Sequence, residues 1–115
     1  MSKVALVAFQ GEARCFVHVL LNALDMQQRG LTVKIIIEGM AVKLPPELNK
    51  PDHTFHTLYA RTKEAGLIEG VCKACSAQMG CLAEIQAQGL PLLDDMNGHP
   101  SLGRYLADGY TIITF

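Results

Sequence analysis

The segment Val4-Ala-Leu-Val-Ala-Phe9 is a continuous apolar run, and it decides the fold of this chain. Such a run is typical of a strand that is covered on both faces in a parallel sheet. After the turn Gln10-Gly11-Glu12, apolar residues at helical spacing predict a helix from Ala13 to Gln28. The β-branched segment from Thr32 to Ile37 is a second predicted strand. This strand–helix–strand order indicates a parallel α/β sheet.

The rest of the chain continues this alternation. Only a short helical turn is expected between Met40 and Leu48, because two prolines interrupt the segment. The further predicted elements are a helix from Asp52 to Ala65, a strand from Leu67 to Lys73, a helix capped by Ser76 that runs to Gln88, a strand from Leu90 to Leu93, a helix from Pro100 to Asp108 and a strand from Tyr110 to Phe115. We therefore expect a single domain over residues 1–115, a three-layer α/β/α sandwich with a mainly parallel five-stranded sheet.

Composition narrows the classes of function. The 115 residues are 50% hydrophobic and include 10 basic and 11 acidic residues, for a formal net charge of -1. This balance predicts neither a nucleic-acid partner nor a charged membrane patch, and the apolar runs are far shorter than the roughly 18 residues that span a bilayer. Without an export signal, the four cysteines are expected to be reduced thiols in the cytoplasm.

The most reactive position predicted from the sequence is Cys75. Ligands and catalysis in parallel sheets gather beyond the carboxyl ends of the strands, and Cys75 follows the third predicted strand. At a helix start, free backbone N–H groups and the helix dipole favour the thiolate, which is the reactive form of cysteine. We expect Cys75 to be the nucleophile, with backbone donors at Ser76 and Ala77.

Other residues are predicted at the same edge of the sheet. Cys72 is the second catalytic candidate. It either forms a disulfide with Cys75 or receives the sulfur that Cys75 carries. Alternatively, strand alternation places its side chain in the core. The predicted binding residues are Gln10, Glu12, Ser76, Asp94 and His99, and His99 is the histidine expected to assist proton transfer. Because both cysteines are expected to precede the helix, the thioredoxin-like arrangement, in which the first cysteine opens the helix, is not expected.

The remaining cysteines and histidines favour less specific roles. Cys81 lies among apolar neighbours of a predicted helix and is expected to pack. Cys15, in the first turn of the first helix, either lies beside Cys75 or packs, and packing is favoured. Cys72 and Cys75 have the spacing of half a zinc site, but no second pair at ligand spacing follows them. His53 and His56 complete such a site only if the fold brings them across. We therefore predict no metal and no cofactor.

Three segments resemble the DsrE-like (DsrE/DsrF-like) sulfur-relay family over most of the chain. They are the apolar first strand that turns through glycine into a long helix, Gly70-Val71-Cys72-Lys73-Ala74-Cys75-Ser76, and the closing Asp108-Gly109-Tyr110-Thr-Ile-Ile-Thr-Phe115. The resemblance implies that Cys75 accepts sulfane sulfur as a persulfide and hands it to a partner. It also implies a cytoplasmic homo-oligomer, a trimer or hexamer, with sulfur donor and acceptor proteins.

Three functions follow from these observations. The first is a persulfide carrier, or a component of a sulfurtransferase, that uses Cys75; whether the protein is itself an enzyme stays open. The second is a non-catalytic oligomeric binding or regulatory module with structural cysteines. The third is a thiol–disulfide switch between Cys72 and Cys75.

Overall fold

A five-stranded parallel sheet forms the centre of the protein in a computed structural model that describes residues 2–115. The strands are β1 (Lys3–Ala8), β2 (Thr32–Ile37), β3 (Ile68–Cys72), β4 (Leu92–Leu93) and β5 (Tyr110–Thr114). The helices are α1 (Ala13–Gln28), α2 (Leu44–Leu48), α3 (His56–Glu64), α4 (Lys73–Gln78), α5 (Leu82–Ala87) and α6 (Leu102–Ala107), and a 3-10 helix (Gly39–Lys43) precedes α2. The predicted α/β class and parallel sheet are confirmed.

The strands lie in the order β4-β3-β2-β1-β5. Every neighbouring pair is parallel, and Val4 of β1 lies between Val33 of β2 and Thr111 of β5. The chain moves outward from β1 to β4 and then returns to the free side of β1 as β5. Because β2, β3 and β4 are neighbours, the segments that follow them meet at one edge of the sheet.

The two faces of the sheet are covered unequally. On one face α1, α2, α3, α5 and the 3-10 helix build the larger core, whose biggest fully buried side chains include Phe16, Leu20 and Tyr59. On the other face a smaller cluster around Tyr105 and Tyr110 packs beneath α6. Helices on both faces complete the three-layer sandwich. Within residues 2–115, no helix is both long and apolar enough to cross a membrane.

Several element boundaries differ from the sequence-based expectation. The helix predicted from Ser76 to Gln88 is two short helices, α4 and α5, because the chain leaves the helical conformation at Gly80, whose φ is +72°. The third strand ends at Cys72, and α4 starts at Lys73 without an intervening loop. The helix predicted from Asp52 begins only at His56.

Gly70 allows β4 to lie close against β3. A Cβ atom at this position would come within 2.7 Å of Leu93 Cγ and of the Pro91 carbonyl oxygen. Gly103 in α6 is a control position for Gly70, since a Cβ at Gly103 has only Ser101 Oγ within 4 Å, at 3.8 Å.

We expect Gly70→Ala to lower the free energy of unfolding by about 1–3 kcal/mol, because the added methyl overpacks the β3–β4 contact. Gly103→Ala is expected to raise it by about 0.5–1 kcal/mol, since alanine favours a helix over glycine. Urea unfolding followed by circular dichroism measures both changes. Equal midpoints for the two variants would contradict the close approach of β4.

Candidate functional site

The junction between β3 and α4 positions both cysteines of the Cys-x-x-Cys segment. Cys72 is the N-cap of α4, and its Sγ accepts a hydrogen bond from the Cys75 backbone N–H, with an N–S distance of 3.4 Å. Ser76, which was predicted to be the cap, lies inside the helix. Its hydroxyl is fully buried and donates to the Cys72 carbonyl at 2.7 Å. The prediction that Ser76 begins the helix is therefore wrong, because the chain turns helical one residue after Cys72.

This junction gives the two cysteines different environments. Cys72 is fully buried, whereas Cys75, in the first turn of α4, is half-buried. The expectation that Cys75 precedes the helix is wrong, whereas Cys72 does precede it, as the cap. The first cysteine opens the helix and the second lies one turn inside, as in Cys-x-x-Cys oxidoreductases, but here the second cysteine is the more accessible one.

A tight hairpin after β4 brings His99 to the cysteines. Asn97 and Gly98 both have positive φ, +51° and +88°, as in a type I′ turn, and Met96 pairs with His99 across it. The Ala74 N–H donates to the Gly98 carbonyl at 2.8 Å, which ties the hairpin to the first turn of α4.

The imidazole of His99 lies directly against both sulfur atoms. Its Nδ1 is 3.2 Å from Cys72 Sγ and 3.8 Å from Cys75 Sγ. The three donor atoms lie within 4.8 Å of one another. The sequence-based expectation that His99 reaches this edge agrees with this position. We call Cys72, Cys75 and His99 the sulfur cluster.

The end of β2 supplies a further wall of the site. The Gly39 backbone N–H donates to Cys75 Sγ at 3.3 Å. Gly39 has a φ of +56°, and a Cβ there would lie 3.3 Å from the Phe9 carbonyl oxygen, so the position favours glycine. Glu38, the preceding residue, is buried with 8% of its surface exposed. Three consecutive strand ends therefore meet at the sulfur cluster.

Burial and nearby charge disfavour the ionised forms of two groups of the site, the Cys72 thiol and the Glu38 carboxyl. Burial, the hydrogen bond with the Cys75 side chain and the nearby charges of Cys75 and Glu38 raise the pKa of the Cys72 thiol to about 12. Burial likewise raises the pKa of Glu38, and the nearby His99, when charged, partly offsets that effect. Negative charge is therefore unfavourable at the buried side of the site, where Cys72 and Glu38 lie.

Other predicted binding residues lie outside the sulfur cluster. Asp94 faces Lys73, with 3.8 Å between Oδ2 and Nζ, at an exposed position. Glu12 is exposed and is the N-cap of α1, where its carbonyl accepts the N–H groups of Cys15 and Phe16. Gln10 lines a separate, mainly apolar cavity of about 390 Å³ together with Cys15, His18, Asn22 and Phe115. A wider cavity of about 600 Å³ between α2, α3 and α5 includes no residue of the cluster.

The remaining thiol and imidazole groups have other partners. Cys81 is buried, and its thiol donates to the Val42 carbonyl at 3.3 Å, in line with the packing role expected for it. His53 Nε2 lies 3.5 Å from a Glu47 carboxylate oxygen, and His56 Nδ1 lies 2.9 Å from the Leu48 carbonyl oxygen. The fold does not bring His53 or His56 into the group of metal-ligating atoms around Cys72.

Sequence reasoning missed the contributions of Glu38 and Gly39 to the site. Neither residue was proposed as a site residue from the sequence. A backbone N–H donor has no side-chain signature, so only the fold identifies Gly39. The Asn97-Gly98 pair could have predicted the position of His99, because this dipeptide strongly favours a two-residue hairpin turn, and His99 directly follows it.

The fold and the cluster define a parallel α/β domain with a cysteine–cysteine–histidine site at the carboxyl edge of its sheet. No protein-family model matches the chain. The chain is 36% identical over 96 residues to the uncharacterized protein MJ0733 of Methanocaldococcus jannaschii, across 84% of this chain and 76% of that protein. The chain therefore belongs to the same family as that archaeal protein.

A solved structure shows the same fold. It is the conserved protein of unknown function BT1422 from Bacteroides thetaiotaomicron, with a TM-score of 0.74 over 99% of this chain and 95% of that one. The sequences are 22% identical, so this likeness concerns the fold alone. The resemblance to the DsrE-like family stays a prediction.

The raised pKa of Glu38 predicts a pH-dependent stability. A pKa raised by burial means that the site holds the ionised carboxylate less well than the unfolded chain does, so Glu38 costs stability at neutral pH, and this cost disappears when the pH falls below the ordinary value of 4.5. We therefore expect Glu38→Gln to raise the free energy of unfolding at pH 7 and to lose this advantage near pH 4. Glu12→Gln, at an exposed position, is the control and is expected to change stability by less than about 0.5 kcal/mol. Urea unfolding at both pH values measures the difference, and a loss of stability in Glu38→Gln at pH 7 would contradict this account.

Proposed function

We propose that this protein carries sulfane sulfur as a persulfide on Cys75. The observation that supports this best is the environment of the Cys75 sulfur. Cys75 is half-buried, and its Sγ accepts the Gly39 N–H at 3.3 Å and lies 3.8 Å from His99 Nδ1. In this proposal the Gly39 N–H is the fixed donor to the reacting sulfur, and the His99 imidazole is the neighbouring group that exchanges its proton.

The sulfur transfer conserves atoms and electrons. The Cys75 thiolate attacks the terminal sulfur of a donor persulfide, the donor's S–S bond breaks, and the donor leaves as a thiolate. In discharge, an acceptor thiolate attacks the outer sulfur, and Cys75 is the leaving group. In both directions Gly39 supplies a fixed N–H to the sulfur that is charged before or after the transfer, and His99 holds or returns the proton.

In this proposal Cys72 does not react with the donor, because it is buried behind Cys75. Its side chain is fully buried, and its sulfur is already the acceptor in the cap of α4. In the proposed carrier, Cys72 positions Cys75 through that hydrogen bond and does not meet the donor. The protein then acts as a carrier or as a component of a sulfurtransferase, and the acceptor completes the reaction.

The rim of the site supports transfer to another protein. Met40, which follows Gly39, is 49% exposed, and Met96, which pairs with His99 across the hairpin, is 51% exposed. Exposed methionines adapt to the surfaces of different partners. Four free cysteines suit the reducing cytoplasm, so the proposal includes a cytoplasmic carrier. The homo-oligomer implied by the DsrE-like resemblance is also part of it and is measurable by light scattering.

Sulfur uptake by the metal-free protein tests the proposal. The protein is reduced, treated with a chelator, incubated with polysulfide and measured by intact mass. We expect the wild type to gain one sulfur atom and Cys75→Ser to gain none, because the accepting atom is absent. Cys15→Ser is the matched control, since Cys15 is also half-buried, and it is expected to react like the wild type.

Two results would contradict the carrier. Equal sulfur uptake by Cys75→Ser and the wild type would remove Cys75 from the reaction. Slow and uniform alkylation of all four cysteines by iodoacetamide would instead favour the non-catalytic module. In the carrier, we expect Cys75 to be alkylated first, and peptide mapping identifies the modified residue.

A second candidate is the thiol–disulfide switch, which the position of Cys72 as the cap of α4 specifically favours. The two sulfur atoms lie within 4.8 Å of each other, one helical turn apart. Oxidised glutathione can act as the oxidant: one cysteine thiolate forms a mixed disulfide, and the other displaces glutathione thiolate to close the Cys72–Cys75 bond.

The switch predicts a mass lower by two hydrogen atoms after incubation with oxidised glutathione, restored by dithiothreitol. Cys72→Ser is expected to stop at the mixed disulfide on Cys75, because the second thiol is missing. The Cys81→Ser variant serves as the control. A stable mixed disulfide on the wild type would count against the switch and leave the carrier intact.

A further inference from the structure

The two sulfur–nitrogen distances of the sulfur cluster are close to those of a tetrahedral metal site. Zinc binds cysteine sulfur at about 2.3 Å and histidine nitrogen at about 2.0–2.1 Å, so tetrahedral ligands lie about 3.6 Å apart for sulfur–nitrogen pairs and about 3.8 Å apart for two sulfurs. The observed distances from His99 Nδ1 are 3.2 Å to Cys72 Sγ and 3.8 Å to Cys75 Sγ. All three donors lie within 4.8 Å of one another. A change of a few tenths of an ångström suffices to bring both sulfur–nitrogen pairs to the zinc spacing.

We propose that Cys72, Cys75 and His99 bind one zinc ion through three protein ligands and leave its fourth position open. This reverses the expectation of no metal site. That expectation rested on the absence of a second ligand pair in the sequence. The third ligand comes instead from the hairpin after β4, at a distance along the chain that matches no zinc motif.

Each ligand is held in place before a metal arrives. The first two lie one turn apart at the start of α4, and the third is tied to that turn by the bond from Ala74 N–H to the Gly98 carbonyl. Both sulfurs accept backbone N–H groups, Cys75 from Gly39 and Cys72 from Cys75. Such outer hydrogen bonds orient ligands and stabilise thiolates in metal sites.

The donor set selects the class of metal. Two thiolates and one imidazole are ligands of zinc and similar soft transition metals, whereas magnesium and calcium prefer oxygen. Binding is balanced: two cysteine thiols release two protons, and the two thiolates neutralise the charge of Zn²⁺. Three protein ligands with an open position are typical of sites that bind a small molecule at the metal.

Zinc and sulfur compete for the same atom. A zinc-bound Cys75 has its thiolate engaged by the metal, so it is no longer free to attack a donor persulfide. We infer that the zinc-loaded protein does not take up sulfur and that the metal-free protein is the carrier. The zinc site itself does not depend on the proposed function, since it rests on ligand geometry alone.

Cobalt titration of the full chain tests the metal site, because Co²⁺ occupies zinc sites and, unlike Zn²⁺, absorbs visible light. The protein is reduced, stripped with a chelator and titrated with Co²⁺ under anaerobic conditions. We expect one equivalent to bind, with a thiolate-to-cobalt charge-transfer band and the strong visible absorption of tetrahedral cobalt. One equivalent of Zn²⁺ is expected to remove both signals.

Ligand variants make the assignment specific. Cys72→Ser, Cys75→Ser and His99→Asn are each expected to weaken binding by more than the roughly 10–100-fold that the loss of an outer partner costs. Cys15→Ser and His18→Gln are the matched controls on α1 and are expected to bind as the wild type does. Circular dichroism establishes that each variant is folded. A rise in the wild-type melting temperature with added Zn²⁺ provides a readout that needs no variant.

Several outcomes would overturn the zinc site. These are no charge-transfer band, no thermal shift with Zn²⁺, or wild-type affinity in folded His99→Asn, which would indicate a cysteine pair without the third ligand. Sulfur uptake by the stripped protein separates the two proposals. Uptake without metal binding leaves the carrier and removes the zinc site, whereas metal binding without uptake does the reverse.

Discussion

The direct passage of β3 into α4 is the constraint on which the rest of the site depends. No loop separates the strand from the helix, so the last strand residue, Cys72, is also the helix cap. Two hydrogen bonds hold the backbone there: the buried Ser76 hydroxyl donates to the Cys72 carbonyl, and the Cys75 N–H donates to the Cys72 sulfur. One sulfur is thereby buried under the helix start, and the other is presented one turn later.

The order of the sheet explains why distant residues meet at this junction. Strands β2, β3 and β4 are neighbours and run in the same direction, so Gly39, Cys72 and His99 follow strand ends that lie side by side. The close packing of β4 against Gly70 sets where the hairpin with His99 begins. Each partner of Cys75 therefore comes from a different strand end, and the sheet determines their distances.

Sulfur transfer, disulfide exchange and metal binding place similar demands on a site. Each needs a thiolate that is accessible, stabilised by fixed donors and close to a group that exchanges protons. The half-buried Cys75, the Gly39 N–H and the His99 imidazole meet these demands. The proposed functions therefore differ in the partner at the open side of the site, which is a persulfide, a disulfide or a metal ion.

The sequence by itself determined the α/β class and the bounds of α1 and β2, because these depend on local periodicity. It also identified Cys72, Cys75 and His99 as candidate site residues, because their residue types carry the chemistry. It failed at the cap of α4, since competing caps differ by about 1 kcal/mol and tertiary packing chooses between them. It also failed at the break between α4 and α5, where Gly80 has a positive φ. Only the tertiary structure decided which cysteine is buried, that Gly39 donates to sulfur and that His99 touches both thiols. Those contacts join residues that lie 24 to 36 positions apart, and their geometry depends on strand order and packing, which local patterns do not encode.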